Sequence, residues 1–156
     1  MFGWGEKKLA LIAPAEGKLI DITAVDDPVF AGKMMGDGFA VEPSPESDKI
    51  IAPCDGEIAL LSDTKHAVAI RREGVEILIH VGLDTAVLGG EGFTALVKAG
   101  DRVYAAEPLL VFDRAVLEAR GKKLTTVLVL TNQRDTVKNV AKDLTNPAAV
   151  LTLTLK

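Results

Sequence analysis

The feature that most limits what this chain can fold into is a repeated turn-forming unit. The stretch APAEGKLIDI, beginning at Ala13, and APCDGEIALL, beginning at Ala52, share Ala-Pro-x-acidic-Gly-x-aliphatic at an offset of 39 residues. Proline has no N–H to give to a ladder and glycine opens tight turns, so each unit reads as a strand running into a turn and out into another strand. A looser echo links VFAGKMMGDG, from Val29, to VYAAEPLLVF, from Val103. Two copies of one strand–turn–strand unit predict a duplicated β motif.

Turn residues bound short apolar or alternating runs along most of the chain, at about 10–13, 18–24, 38–42, 49–52, 56–62, 66–71, 75–81, 92–97, 109–112, 124–130 and 150–155. That spacing predicts an all-β fold. Two segments resist it. DRAVLEAR, Asp113 to Arg120, has no clean period, whereas DTVKNVAKDL, Asp135 to Leu144, puts Val137, Val140, Ala141 and Leu144 on one helical stripe behind Asp135 as a cap, and reads as a short helix. The economical way to bury so many paired faces is an antiparallel β-sandwich or partly closed barrel, a barrel-sandwich hybrid with one or two short helices. At 156 residues the chain fits one domain, 1–156, which buries roughly two-thirds of its unfolded surface.

The net charge of -4 and the absence of a basic block argue against a nucleic-acid surface. Cys54 is the only cysteine, so no intramolecular disulfide can form, and a cytoplasmic location is expected. The apolar run Leu9–Ile12 is too short for a secretion signal, Met1 to Lys8 is too short for a firm interfacial helix, and no stretch approaches the roughly 18 apolar residues of a membrane span.

The chain holds two histidines. Strict alternation in GVEILIHVGLDT sets Val75, Ile77, Ile79 and Val81 on one face and Glu76, Leu78 and His80 on the other. In SDTKHAVAI, His66 alternates with Val68 and Ile70. A hairpin centred near residue 73 would set His66 directly opposite His80, with Cβ atoms about 4.5 to 5.5 Å apart. Two imidazoles so placed can share a ligand or a phosphoryl group, because neutral imidazole carries a free lone pair near neutral pH. No GxxxxGK[ST] loop, Gly-x-Ser-x-Gly or Cys-x-x-Cys is present, which argues against a nucleotide-fuelled kinase, a serine hydrolase elbow and a dithiol site. A catalytic zinc would need a third protein ligand, with Asp84, Asp37 or Asp63 as the choices, so the count of histidines speaks against a metalloenzyme. GKMMGDG has a superficial likeness to the Met-Lys-Met hairpin of biotin carriers, but Lys33 precedes both methionines, and Met34 and Met35 read as gap-fillers in a turn.

The segments VFAGKMMGDGFAVEP, APCDGEI, TKHAVAI, GVEILIHVGLDTAVLGGEGF and VKAGDRV, in that order and spacing, resemble the glucose-type enzyme IIA of the bacterial phosphoenolpyruvate-dependent sugar phosphotransferase system. The resemblance covers nearly the whole chain, with its core at about 26–131, and implies a duplicated antiparallel β-sandwich. It also implies a phosphocarrier that takes a phosphoryl group from the protein HPr and passes it to a cysteine on the IIB domain of a sugar permease, touching the membrane only through that permease. His80 matches the phosphorylated position, His66 the histidine that stabilises the phosphoryl group, and Thr64 the hydroxyl that orients His66. Asp37 and Asp84 match carboxylates that receive the basic face of HPr. Phe39, Val68 and Leu78 are expected to surround the pair as an apolar docking rim, with Val81 pointing to the core. No cofactor is required, although His66 and His80 can serve as two ligands of a Zn2+ ion bridging to a partner, and some relatives bind regulated proteins. The chain departs from the pattern at Lys65, where an uncharged polar residue is usual, and in TNQRDTV, which places Arg134 and Asp135 where the family usually puts an acidic residue soon after Asn.

Overall fold

The computed structural model describes residues 6–156. Most of the Met1–Lys8 segment lies outside the described residues, and Lys8 itself opens the first strand. Thirteen strands follow in chain order: β1 (Lys8–Leu11), β2 (Gly17–Asp21), β3 (Gly38–Pro43), β4 (Lys49–Ile51), β5 (Gly56–Leu61), β6 (Ala67–Arg72), β7 (Val75–Val81), β8 (Phe93–Ala95), β9 (Arg102–Val103), β10 (Pro108–Phe112), β11 (Thr126–Leu130), β12 (Val137–Lys142) and β13 (Leu151–Leu155). The helices are short: α1 (Pro28–Ala31), α2 (Arg114–Ala119) and α3 (Gln133–Thr136). None of them is long and apolar enough to cross a membrane.

Every strand pair is antiparallel, and none of the sheets closes into a barrel. A seven-stranded sheet runs β2-β3-β11-β7-β6-β5-β9, and two three-stranded sheets run β4-β10-β8 and β1-β13-β12. The expected sandwich is present. The inner face of the large sheet, with Phe39, Val68, Ile70, Ile77, Ile79 and Leu128, packs against Ile50, Leu110 and Phe112 of one small sheet and Leu11, Leu151 and Leu153 of the other in one continuous core.

The Ala-Pro repeat is built into that sandwich as a reciprocal pair. Ile12 N–H donates to the Pro53 carbonyl over 2.9 Å, and Ile51 N–H donates to the Pro14 carbonyl over 2.8 Å, so each unit satisfies the equivalent backbone of the other. Each turn then releases a strand of the large sheet, β2 in one case and β5 in the other. The second echo is not structural: Val29–Ala31 lies in α1, whereas Val103 ends a strand.

The helix expected over 135–144 is a strand over most of that length. Only Gln133–Thr136 is helical, with Asn132 rather than Asp135 at its N-terminus, and Val137–Lys142 pairs with β13. The pairing skips from Val137 to Asn139, so one extra residue resets the alternation. That bulge spaces Val137 and Val140 three apart and imitates a helical stripe. The unassigned segment from Asp113 becomes α2, whose first turn is capped by the Asp113 carboxylate accepting from Val116 N–H.

The outer face of the large sheet carries a second apolar cluster, in which Ile22, Val25 and Phe30 from the β2–β3 connection cover Ala40, Val127 and Val129. The Asp27 carboxylate accepts from Val29 N–H and Pro28 takes the first helical position, so α1 is set firmly on this face. His80 belongs to this outer face.

Candidate functional site

Val75, Ile77, Ile79 and Val81 are fully buried in the main core, so Glu76, Leu78 and His80 point the other way, as the alternation predicts. Across the strands His80 stands in the row Ala67, His80, Val127, Ala40, with alanine beside it on β6 and valine beside it on β11. Phe30 of α1 covers one side of the imidazole, its ring 5.1 Å away in an edge-on arrangement.

The hairpin register is one residue off the expected one. Ala67, not His66, faces His80, because β6 and β7 join through the two-residue turn Glu73–Gly74, both with positive φ, and Arg72 pairs with Val75. His66 instead lies just before β6, where its carbonyl accepts from Val81 N–H. Lys65 adopts the left-handed conformation, at φ 59°, in the turn that starts at Ser62, and this releases His66 from the strand's alternation. The two rings still meet, with centroids 4.7 Å apart at 79°.

Each Nδ1 is held by a neighbour in the chain. His80 Nδ1 lies 2.8 Å from the Gly82 carbonyl, an acceptor only, so neutral His80 carries its proton on Nδ1 and leaves the Nε2 lone pair free. His66 Nδ1 lies 2.6 Å from Thr64 Oγ1 and 3.4 Å from Ser62 Oγ, whose hydroxyl oxygen also accepts from Ala67 N–H. Thr64 thus lies against His66, the contact that the resemblance implies, and Ser62 is a second hydroxyl that neither the spacing nor the resemblance singled out. Burial, reinforced by the neighbouring His80, pushes the His66 pKa down to about 4. Burial also lowers the pKa of His80, against the opposing pull of the Gly82 carbonyl and the Asp27 carboxylate. Near neutral pH both rings are neutral.

The carboxylates are placed unevenly. Asp84 follows His80 closely but is left-handed at φ 56°, exposed, and paired with Lys122 at 2.9 Å. Asp37 sits at the far end of the face, three residues along the strands from the His80 row and two strands across, about 10 Å in each direction. Its Oδ1 accepts from Gly38 N–H and Lys142 Nζ, and the structure does not bring it to the histidines. Arg134 lines a cleft of about 610 Å3 with Lys33, Met34 and Met35 at that same end. Asp27, whose charge reaches His80, went unnoticed in the sequence; the signal for it was the Asp-Pro start of a helical turn just before Val29.

The apolar rim also needs correction. Phe39 and Val68 are fully buried in the main core and cannot line a docking face, since the true register turns both inward. Leu78 is half-buried on the outer face beside the second cluster. Its cross-strand row continues through Ala69 to Leu60, which is 52% exposed because a bulge between Ile58 and Leu60 turns it outward. Val29, Val87 and Met34 are exposed as well, so Met34 and Met35 are not gap-fillers.

Comparison with known proteins gives the family and the fold. The profile of the phosphoenolpyruvate-dependent sugar phosphotransferase system, EIIA 1 family matches residues 9–136. The chain is 45% identical to the PTS system glucose-specific EIIA component of Oceanobacillus iheyensis over 135 residues, covering 86% of this chain and 80% of that protein. It is 44% identical to the component of the same name from Bacillus cereus, over 85% of this chain and 81% of that one. The solved structure of glucose permease IIA from Mycoplasma capricolum superposes with a TM-score of 0.78 at 32% identity, covering all of this chain and 94% of its own. The chain belongs to the EIIA 1 family of the phosphoenolpyruvate-dependent sugar phosphotransferase system.

Proposed function

We propose that this family member carries phosphoryl groups on His80 Nε2, taking them from phospho-HPr and giving them to the cysteine of a glucose-type IIB domain. The observation that carries the proposal is the hydrogen bond from His80 Nδ1 to the Gly82 carbonyl, which fixes the tautomer a nucleophilic Nε2 requires. In the first step the Nε2 lone pair attacks phosphorus, an N–P bond forms to His80, and the donor's N–P bond breaks with its electron pair returning to the donor imidazole. In the second, a cysteine thiolate attacks the same phosphorus, an S–P bond forms, and the pair of the breaking N–P bond returns to Nε2.

Thr64 donates its hydroxyl proton to His66 Nδ1, so that His66 presents Nε2–H to a phosphoryl oxygen and stabilises charge as it builds. The depressed pKa of His66 keeps it neutral, so it donates a hydrogen bond without locking the phosphoryl group in an ion pair. Leu60, Leu78, Val87 and Val29 form the dry rim against which the partners dock. The location implied is the cytoplasm, with membrane contact through the permease. The same pair supplies two imidazole nitrogens toward a bridging Zn2+; among the described residues no cluster of three ligating side chains exists, so a partner must complete the set.

Incubation with phosphoenolpyruvate, enzyme I and HPr, followed by mapping of acid-labile phosphate, tests this function. Wild type takes label on His80, and His80→Gln takes none. Label retained in His80→Gln contradicts it.

A further inference from the structure

Ser62 stands where β5 gives way to the turn that carries Thr64 and His66, and its backbone and side chain are used differently. The Ser62 N–H donates to the Ala67 carbonyl over 3.0 Å, as the last rung of the β5–β6 ladder would. The return bond is not made by the backbone. The Ser62 carbonyl accepts instead from Lys65 N–H over 2.9 Å, which closes the turn, and the Ala67 N–H donates to Ser62 Oγ over 3.2 Å. The hydroxyl oxygen stands in for a carbonyl at the point where the strand reaches His66.

An oxygen that accepts from Ala67 still has a proton of its own to give. Its other hydrogen-bond partner among the described residues is His66 Nδ1, 3.4 Å away. Thr64 Oγ1 approaches the same nitrogen at 2.6 Å, so Nδ1 takes one short bond and one longer one in a three-centre arrangement. The short bond sets how far the ring lies from Thr64 and leaves it free to swing about that contact. The longer one comes from an atom tied to Ala67, and Ala67 faces His80 directly across the β6–β7 pairing. The His66 carbonyl accepts from Val81 N–H over 2.7 Å, so the backbone there is already fixed and the angle of the ring is the freedom that remains.

We propose that Ser62 is a second positioning residue for His66, tying the angle of its ring to the strand position that faces His80; this rests on the phosphocarrier function proposed above. Thr64 supplies the proton that keeps Nδ1 an acceptor and leaves Nε2–H to point outward. Ser62 sets the direction of that N–H, and a donor that meets a phosphoryl oxygen off line loses much of its hydrogen bond. The effect falls on the step that leans on His66, transfer to the acceptor thiolate, in which the N–P bond to His80 Nε2 breaks as the S–P bond forms.

Ser62→Ala removes the hydroxyl and Ser62→Thr returns it. Single-turnover transfer to the IIB cysteine is expected to slow about three- to fivefold in Ser62→Ala, less than on loss of the closer Thr64 hydroxyl, and to recover in Ser62→Thr. The deciding comparison is a double-mutant cycle. In a His66→Gln background Ser62→Ala slows transfer no further, because no ring is left to orient. An equal slowing in both backgrounds overturns the proposal and assigns Ser62 to the turn alone, and so does an unchanged rate in Ser62→Ala. The ring 15N shifts of His66, read on the unphosphorylated protein, are expected to move in Ser62→Ala and to return in Ser62→Thr; unmoved shifts overturn the contact, whether or not the protein carries phosphoryl groups. Failure of wild type to take label from phospho-HPr overturns the carrier function and the part of Ser62 in it, while the ring shifts still decide the contact.

Discussion

The imidazole of His80 donates from Nδ1 to the carbonyl of Gly82, 2.8 Å away and two residues further along the chain. That bond depends on a turn only glycine fits. Gly82 has φ 78°, and a Cβ there would come within 2.5 Å of the Thr85 side chain and 2.9 Å of the Lys123 carbonyl. Gly82 N–H and Leu83 N–H are meanwhile tied to the carbonyls of Thr125 and Lys123, and the buried Thr85 hydroxyl donates to the Val81 carbonyl. Gly82→Ala is expected to lower stability by about 1–3 kcal/mol and to loosen the tautomer of His80. Urea unfolding reads the first effect and the ring 15N shifts of His80 the second; an unchanged tautomer would show that the carbonyl is not what sets it.

Thr64→Val removes the hydroxyl 2.6 Å from His66 Nδ1 and leaves only Ser62, at 3.4 Å. Acceptance from phospho-HPr should survive within a few fold, while transfer to the IIB cysteine should drop by about tenfold, the scale of one neutral hydrogen bond. Single-turnover kinetics of the two half-reactions separate these outcomes.

His66 also ties stability to acidity. Its folded pKa, about 4, lies below the unfolded value near 6.5, so between those limits the unfolded chain binds more protons than the native one. Stability therefore falls as pH drops from about 6.5 toward 4, by up to a few kcal/mol. His66→Gln has no proton to take up and should show a flatter profile over that window. Denaturant titrations at pH 7 and pH 4.5 compare the two.

The inward turn of Val68 and the outward turn of Leu60 make a paired test of the sheet register. Val68→Ser should cost about 2 kcal/mol or more, since it is fully buried and cannot reach a hydrogen-bond partner through packed neighbours. Leu60→Ser should change stability by about 0.5 kcal/mol or less and raise the KM for phospho-HPr. The reverse pattern would return Val68 to the docking face.

Much of this site can be read without coordinates because β7 alternates without interruption. The burial of Val75, Ile77, Ile79 and Val81, and hence the outward face of His80, follows from spacing alone. Errors cluster where one residue changes the count. A two-residue turn in place of a one-residue centre shifted the β6–β7 register, sent Val68 inward, and left His66 to reach its partner from outside the strand. A bulge in β12 disguised a strand as a helix, and another in β5 hid the exposure of Leu60. Periodicity cannot see an inserted residue, since the pattern on either side remains regular. Ion pairing was equally hidden: Lys122 is 38 positions from Asp84 and Lys142 is 105 from Asp37, and only the folded sheets bring each pair together.

The carrier role of His80 is tested most directly by which nitrogen bears the phosphoryl group. Protein labelled with 15N in its histidine rings, phosphorylated through HPr and examined by NMR, gives the answer through 15N–31P coupling. The expected spectrum couples phosphorus to Nε2 of His80, keeps a proton on its Nδ1, and leaves His66 unphosphorylated. Phosphorus coupled to Nδ1 of His80, or to either nitrogen of His66, would contradict the account.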